Sequence, residues 1–381
     1  MAAKNQELIR DMNYHEVLEN IINEGTTSRA SLAKKLGLTK ATISSQVQSL
    51  MDDGLIIEVG SAETTKGRRP ILLKFNVLYG HVISVDIGLS TINLLLSDML
   101  GRHCFSKQYM WDGRNLTDVL LLAIGNMIEA APESMQGIIG ICLGIHGVVH
   151  KNKILFTPYY ELNKLPLKKM LEGRFSIPVF LENEANLSAL GEKTFSFQVS
   201  NMINISVHSG IGLGVIVNNQ LYCGMNGSAG EFGHTIVEPD GILCPCGNSG
   251  CIEQYASEIA ILRKYSLLKN AGNLTIDDLV SDYQHGKEAA RSAVQDFIHY
   301  MSIGVNNIVN IFNPELIVIN SSFTTYLPDV IGEIQKLLPN RMSQQCKIVR
   351  SMLQDTATLL GGVHICSRDF LKIDTFAPPL A

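Results

Sequence analysis

Two strand–turn–strand segments in separate parts of this 381-residue chain limit its fold more than any other feature. Residues 81–98 read HVISVDIGLSTINLLLSD, and residues 204–217 read NISVHSGIGLGVIV. In both, two runs of mostly apolar residues flank a short turn that contains glycine, which is typical of a β-hairpin. Patterns of helices and buried strands follow each hairpin, so the sequence predicts two α/β units built on the same plan.

The glycines of the two turns indicate what such units bind. Gly88 stands in the first turn, and Gly210, Gly212 and Gly214 stand in the second. A glycine-rich turn lets backbone N–H groups approach a phosphate closely, although glycine is more often found in turns that bind nothing. Two α/β units that each open with such a hairpin are the plan of the hexokinase/actin superfold.

The first 75 residues have the pattern of a helix-turn-helix. Ser28 and Thr39 are suited to cap two successive helices. Ala33, Gly37 and Ile43 have the spacing that lets these helices cross closely at a turn. The predicted buried stripes are Val17, Leu18, Ile21 and Ile22 in a preceding helix, and Ile43, Val47, Leu50 and Met51 in the last one.

The other face of the last helix is polar and has no acidic residue before Asp52. Such a face can enter the major groove of DNA without repelling phosphate. Two predicted strands, Leu55–Val59 and Ile71–Phe75, enclose the basic segment SAETTKGRRP, which predicts a wing. The candidate DNA contacts are Ser28 and Thr39 at the caps, Lys40, Thr42, Ser44, Ser45 and Gln46 on the helix, and Lys66, Arg68 and Arg69 on the wing; Gln48 shares the polar face. A pair of antiparallel helices that binds no DNA is the alternative interpretation.

The charge of the chain is divided unevenly between these parts. Residues 1–75 hold 10 Lys/Arg and 9 Asp/Glu, whereas the remainder holds 21 and 27, and the whole chain carries −5. A near-neutral head on an acidic body fits a module that touches DNA with one face only. No apolar run is long enough to span a bilayer and the N-terminus lacks an apolar signal core, so we expect a cytoplasmic protein without a membrane partner.

Three of the eight cysteines fall within eight residues. Cys244, Cys246 and Cys251 follow His234 in one short loop, and thiolates with an imidazole suit tetrahedral Zn²⁺. Because the protein itself fills all four places, the spacing predicts a structural zinc site rather than a catalytic one. Four unrelated reduced residues are the alternative.

The chain resembles the ROK family of repressors and kinases, and within it the xylose repressors of Gram-positive bacteria. The resemblance covers nearly the whole chain and is carried by GRRP, ENEANLSALGE, HSGIGLG and the run AGEFGH…CPCGNSGCIE. It implies a sugar pocket between the two lobes, with D-xylose as the favoured sugar. The residues that match the family's sugar-contact positions are Asn183, Glu231, His234 and Glu253, with Glu184 beside them. His234 would then bind zinc through one ring nitrogen and face the sugar with the other.

Two departures from the family's kinases argue against catalysis. The residue after the site asparagine is an aspartate base in those kinases, and here it is Glu184, whose extra methylene displaces the carboxylate by about an ångström. The glycines that admit the adenosine are replaced by the segment Asn320–Phe323, which follows the predicted strand ELIVI. The pair Gly361–Gly362 remains as a remnant of that cleft. The resemblance therefore implies a kinase-like domain that is inactive.

The predicted fold class is α/β, with a winged helix-turn-helix domain at 1–76, a first actin-like lobe at 77–195 and a second at 196–381. The implied function is a DNA-binding repressor of sugar-utilisation genes. It would act as a homodimer or a dimer of dimers on operator DNA and be released when an unphosphorylated sugar closes the lobes. Apolar helices near 287–312 and after Gly361 are either dimer surfaces or core. The alternatives are an active ATP-dependent sugar kinase that carries a regulatory head, and a repressor whose signal is a phosphorylated sugar or a protein.

Overall fold

The structure, a computed structural model, describes residues 2–61, 70–112, 114–338 and 346–380. The chain forms two compact units, each assembled from separate stretches of sequence. The first comprises Met1–Ile145, Pro158–Leu181 and Gly362–Ala381, and the second comprises His146–Thr157 and Glu182–Gly361.

These units differ from the three predicted segments. Residues 182–195, predicted to end the first lobe, belong to the second unit, and residues 362–381, predicted to close the second lobe, belong to the first. The predicted head, 1–76, is part of the first unit. A local sequence pattern indicates where a helix lies along the chain but not which sheet it packs against, so these crossings have no signature in the sequence.

Three helices and a small antiparallel sheet form the head. They are α1 (Ala2–Glu24), α2 (Arg29–Leu36) and α3 (Lys40–Asp52), with β1 (Thr27–Ser28), β2 (Ile56–Ser61) and β3 (Ile71–Phe75) in the order β1-β3-β2. Both predicted caps are present, because Ser28 Oγ accepts from the Ser31 N–H and Thr39 Oγ1 accepts from the Thr42 N–H. The predicted stripes of α1 and α3 are buried, except that Met51 is half-buried. The predicted winged helix-turn-helix is confirmed.

The two strands that flank the wing, β2 and β3, pair antiparallel. Residues 62–69 between them lie outside the described part of the chain, and so do the predicted phosphate contacts Lys66, Arg68 and Arg69. These three contacts therefore remain predictions from the sequence.

The rest of the first unit is a five-stranded sheet with helices. Its elements are β4 (His81–Ile87), β5 (Thr91–Asp98), β6 (Phe105–Met110), α4 (Leu116–Glu129), β7 (Ile138–Ile145), α5 (Leu167–Phe175) and β10 (Val179–Asn183), and the strand order is β10-β7-β4-β5-β6. The predicted first hairpin is β4–β5, and β4 also pairs in parallel with β7. Interior strands of this kind are buried on both faces, as their continuous apolar runs predict.

The second unit repeats this plan with the order β13-β12-β11-β14-β15. Its strands are β8 (Val148–His150), β9 (Lys153–Phe156), β11 (Met202–Val207), β12 (Ile211–Val217), β13 (Gln220–Leu221), β14 (Leu316–Ser321) and β15 (Lys347–Arg350). Its helices are α6 (Glu184–Phe195), α7 (Glu253–Ala256), α8 (Glu258–Lys269), α9 (Ile276–Gln284), α10 (Glu288–Phe312), α11 (Ser322–Tyr326) and α12 (Asp329–Lys336). The predicted second hairpin is β11–β12, and β11 pairs in parallel with β14.

One apolar core joins this sheet to the helices. It includes Ile205 of β11, Ile261 of α8, and Phe297 and Met301 of α10. The apolar face of α10 is therefore core, which is the second of the two alternatives that its sequence left open.

The last helix, α13 (Ala357–Leu371), is followed by a tail that packs against α1. Glu19 Oε2 accepts hydrogen bonds from the N–H groups of Asp374 and Thr375. The Asn23 amide donates to the Thr375 carbonyl and accepts from the Ala377 N–H. The end of the chain is therefore bound to the first helix of the head.

Within the described residues, every helix is too short or too polar to cross a bilayer.

Candidate functional site

The loop between His234 and Cys251 gathers four metal-ligating side chains. One ligand atom from each of His234, Cys244, Cys246 and Cys251 lies within 4.8 Å of the others. Cys244 Sγ is 3.6 Å from His234 Nδ1, and Cys246 Sγ is 3.6 Å from Cys251 Sγ. Cys244 and Cys251 are buried, whereas Cys246 is exposed at the rim.

Glycines allow the loop to fold this tightly. Gly247 has a φ of +99° and its N–H donates to the Cys244 carbonyl, while the Cys244 N–H donates to the Asn248 carbonyl. Gly250 has a φ of +79°, and a Cβ there would lie 1.7 Å from the Glu238 carbonyl oxygen. The backbone therefore turns back on itself in a way that other residues would resist.

The donor set of this cluster fits a metal ion. Three thiols and one imidazole nitrogen can surround a tetrahedral divalent ion, and few other reasons bring four such groups together in a loop. The Gln254 amide also contacts Cys244 Sγ at 3.8 Å, as an outer contact that orients a thiolate ligand would. The predicted set of four residues is brought together as expected and could bind a metal.

His234 connects the cluster to two carboxylates. Its Nδ1 faces Cys244, whereas its Nε2 lies 3.9 Å from Glu231 Oε2. Burial raises the pKa of Glu231, His234 opposes that shift, and the nearby Glu253 adds to it. Glu231, His234 and Glu253 therefore form one electrostatic group. One ring nitrogen of the imidazole faces a thiol and the other faces a carboxylate.

Glu253, the first residue of α7, is held against the second hairpin. Its Oε2 accepts a hydrogen bond of 3.1 Å from the Ile211 N–H. A Cβ at Gly210 would lie 2.7 Å from that oxygen, and one at Gly233 would lie 3.2 Å from it. The two glycines therefore leave the space that the carboxylate occupies.

Asn183 and Glu184 form a second group at the start of α6. Asn183 Oδ1 caps the helix by accepting from the Asn186 N–H, and its amide donates to the Gly147 carbonyl at 2.7 Å. Glu184 is only 7% exposed. Its Oε1 accepts from Ser206 Oγ at 2.6 Å and from Thr358 Oγ1 at 3.4 Å. The carboxylate at the kinase-base position is therefore hydrogen-bonded within the protein.

Both groups lie against the same strand. Ala185 and Ala189 of α6 pack on Gly212 and Gly214 of β12, and the Leu213 N–H of β12 donates to the carbonyl of Gly230, next to Glu231. The sequence does not identify His146, Ser206 or Thr358 as partners of Glu184. They come from three distant parts of the chain and follow no common motif.

The segment Asn320–Phe323, expected to replace the glycines that admit adenosine, makes hydrogen bonds and packing contacts inside the second unit. Asn320 and Ser321 lie inside β14, and not after it as predicted. The Asn320 amide donates to Ser188 Oγ and to the Gln354 carbonyl, both at 3.1 Å. Phe323 is fully buried and packs edge-on against Phe297. These side chains are therefore part of the packed interior of the second unit.

Gly361 and Gly362, the pair predicted to be a remnant of the nucleotide cleft, both stand where neighbouring segments approach closely. Both lie inside α13. A Cβ at Gly361 would lie 1.9 Å from the Leu187 carbonyl oxygen of α6, and one at Gly362 would lie 2.0 Å from Ser84 Oγ. Each glycine therefore allows a close approach within its own unit.

One residue of the α3 face that was predicted to meet DNA is buried instead of exposed. Lys40, Ser44, Ser45 and Gln48 are exposed, and so is Thr39, while Ser28 and Thr42 are half-buried. Gln46, however, is only 3% exposed, and its amide donates to the Arg10 carbonyl of α1. It stands three residues after Ile43 and four before Leu50, which places it on the buried side. Polarity alone assigned it to the wrong face, and it does not face DNA.

Sequence relatives share this combination of head and body. A ROK family model matches residues 82–368, and a winged helix-turn-helix DNA-binding model matches residues 15–57. The chain is similar to the xylose repressor of Bacillus spizizenii, with 35% identity over 98% of this chain and 99% of that protein. It is also similar to the DNA-binding transcriptional dual regulator NagC of Escherichia coli, with 28% identity over 97% of this chain and 95% of that one.

Solved structures give the same result. A ROK family transcriptional regulator, a homologue of the Escherichia coli MLC protein, superposes with a TM-score of 0.81 and 26% identity over 95% of this chain and 96% of that one. A ROK family glucokinase from Streptomyces griseus, solved with glucose and AMPPNP, superposes with a TM-score of 0.66 and 25% identity over 75% of this chain and 99% of that one. The chain belongs to the ROK family.

Proposed function

We propose that this protein is a transcriptional repressor that binds operator DNA through its winged helix and is released by an unphosphorylated sugar, with D-xylose favoured. One observation carries the proposal. A helix-turn-helix head is joined to a body in which Glu231, His234 and Glu253 form one group, and in which Asn320 and Phe323 occupy the segment expected to admit a nucleotide. Full-length similarity to a xylose repressor supports the choice of sugar.

The head supplies the DNA contacts. Lys40, Ser44 and Ser45 project from the exposed face of α3, which carries no acid before Asp52. These residues would meet base edges in the major groove, and Lys66, Arg68 and Arg69 of the wing would contact phosphates. Two heads of a homodimer would then read half-sites roughly 34 Å apart or a multiple of that.

The second unit supplies the sugar contacts. Carboxylates of Glu231 and Glu253, the Nε2 of His234 and the amide of Asn183 can accept from and donate to hydroxyl groups in fixed directions. A phosphorylated sugar would need cations, and these residues are acids, an amide and an imidazole. A neutral sugar is the better match.

Zn²⁺ is the metal that we propose for the cysteine loop. Bound by Cys244, Cys246, Cys251 and His234 Nδ1, it would be structural, because the protein supplies four ligands. By fixing the imidazole ring it would hold Nε2 toward Glu231, so that the loop shapes the sugar site.

We infer that the body is not an enzyme. Glu184 stands where the family's kinases have an aspartate base, and its Oε1 accepts hydrogen bonds from Ser206 and Thr358, which leaves Oε2 as the oxygen that could meet a ligand. Asn320 and Phe323 are packed where a nucleotide would need space. The second candidate is an ATP-dependent sugar kinase with a regulatory head, which the similarity to a glucokinase solved with glucose and AMPPNP favours.

Isothermal titration of the full chain with D-xylose, D-glucose and ATP separates the two candidates. We expect a sugar to bind and ATP not to bind. An operator selected from random DNA should then lose about 10- to 100-fold in affinity when the sugar is present. L-xylose, the mirror image, is the control for non-specific effects of sugar. Sugar-dependent release of ADP would establish the kinase, and operator affinity that no sugar changes would refute the repressor mechanism.

A further inference from the structure

The loop that joins β7 to β8 contacts the start of α6 through two consecutive residues. The Gly147 carbonyl accepts a hydrogen bond of 2.7 Å from the Asn183 amide. In the next contact, His146 Nδ1 lies 4.0 Å from Glu184 Oε2. Two consecutive residues of this loop therefore contact two consecutive residues at the start of α6. The Gly147 hydrogen bond also positions the His146 backbone, which does not depend on the ring contact alone.

Gly147 fixes the direction of this loop. Its φ is +153°, and a Cβ there would lie 2.3 Å from the Phe156 carbonyl oxygen. Residues with side chains resist this conformation, so the chain at His146 leaves β7 in one defined direction. The imidazole is thus positioned by backbone geometry beside the Glu184 carboxylate.

The two oxygens of Glu184 have different surroundings. Oε1 accepts from Ser206 and Thr358, which face it from β11 and α13. Oε2 faces the His146 ring. The Glu184 side chain is 9% exposed and that of His146 is 26% exposed, so the imidazole is the more accessible partner of the pair.

The separation of the ring and the acid suits an inserted hydroxyl group. At 4.0 Å, Nδ1 and Oε2 are too far apart for a direct hydrogen bond. A hydroxyl oxygen at about 2.7 Å from the carboxylate and about 2.9 Å from the ring nitrogen would subtend an angle of about 90° between them. Such a hydroxyl would donate to the carboxylate and accept from the ring N–H, and a sugar hydroxyl can do both at once.

We propose that His146 and Glu184 act as a donor–acceptor pair that binds one hydroxyl of the sugar, and that His146 is a specificity-determining residue of the sugar site. This inference rests on the sugar site of the proposed function. Glu184, at the position of the kinase base, would then accept a hydrogen bond from the sugar hydroxyl without removing its proton.

Three substitutions of His146 test the pair by isothermal titration of the full chain with D-xylose. His146→Ala removes the donor and should weaken binding by about 3- to 10-fold, the range for a hydrogen bond between uncharged groups. His146→Asn keeps an N–H near the position of Nδ1 and should retain most of the affinity. His146→Gln places its N–H near the position of Nε2 and should not. His285→Ala, at an exposed histidine of the second unit, is the matched control.

Deoxy sugars distinguish a direct contact from a structural role. Among the monodeoxy-D-xyloses, the one that lacks the bound hydroxyl loses both hydrogen bonds of the pair, so it should bind the wild-type chain more weakly than D-xylose binds His146→Ala, and should lose little more in that variant. Equal losses for every sugar would make His146 a structural residue and overturn the inference. Wild-type affinity in His146→Ala would overturn it while leaving the proposed function standing, whereas failure of the wild-type chain to bind D-xylose or D-glucose would overturn both.

Discussion

The two hairpins share one plan but use their turns differently. In the first, aromatic residues cover the carbonyl groups: the Trp111 indole N–H donates to Gly88, its backbone N–H donates to Ser90, and the Tyr160 hydroxyl donates to Leu89. The rings of Trp111 and Tyr160 pack at 4.3 Å between centroids. The first turn is therefore closed by two aromatic side chains of its own unit.

The second turn is closed by a charge instead. The Ile211 N–H, which a phosphate-binding turn would offer to its ligand, donates to the Glu253 carboxylate. A second anion would be repelled there. Two hairpins with the same strand pairing therefore close their turns by different means, and only the second turn contacts a carboxylate of the proposed sugar site.

The largest effect is expected at the cysteine loop, where a change should affect the second hairpin but not the first. Cys246→Ser, or removal of metal by a chelator, should free the loop that carries His234 and leads to Glu253. We expect a loss on the order of 3 kcal/mol in the free energy of unfolding and at least about 10-fold in sugar affinity. Calorimetry and titration measure both. Trp111, the single tryptophan, reports on the first turn, and its emission should stay unchanged. Cys104→Ser, at an exposed cysteine outside the cluster, is the control.

The next effect concerns the kinase-base position. Glu184→Asp restores the residue of the family's kinases but withdraws the carboxylate from Ser206, which costs about 1–3 kcal/mol when a buried donor is left unpaired. Because both turns remain closed, we expect no sugar-dependent ADP release in a coupled assay. Turnover in this variant would contradict the proposal that the body is not an enzyme.

Glycine substitutions at matching positions of the two turns should have different effects. In Gly210→Ala the new Cβ would meet Glu253 Oε2 at 2.7 Å, whereas in Gly88→Ala it would meet Thr91 atoms at 3.2 and 3.3 Å. We expect about 10-fold weaker sugar binding for Gly210→Ala, because about 1.4 kcal/mol corresponds to tenfold, and little change for Gly88→Ala. Equal effects on titration with D-xylose would show that the two turns are equivalent.

The smallest effect is expected at the aromatic cover. Trp111→Phe keeps a ring but removes the indole N–H that donates to Gly88, so the free energy of unfolding should fall by about 1 kcal/mol. Sugar affinity should not change, since this residue belongs to the first hairpin. If the variant lost sugar affinity when measured under the same conditions as the wild type, the first turn would also influence the sugar site. That result would contradict the difference between the two turns.

Local signals predicted the parts of this molecule that depend on neighbours in sequence. The caps at Ser28 and Thr39, the two hairpins and the cysteine loop all arise from spacings of a few residues, and all are confirmed in position. Signals of this kind fail where distant segments decide the outcome. Gln46 is buried because α1 covers it, and Asn320 continues its strand because Ser188 and Gln354 receive its amide. His146 follows no motif and acquires its partner only when the β7 and β10 ends meet.

The contact between α1 and the tail has a consequence for how the protein is made. Glu19 and Asn23 receive their partners from residues 352 to 356 positions later. At about 5–20 residues per second, ribosomal synthesis needs roughly 20–70 s to cover that distance. Helix α1 therefore leaves the ribosome well before the residues that complete its hydrogen bonds have been made. Its packing against the tail must be among the last contacts of this unit to form.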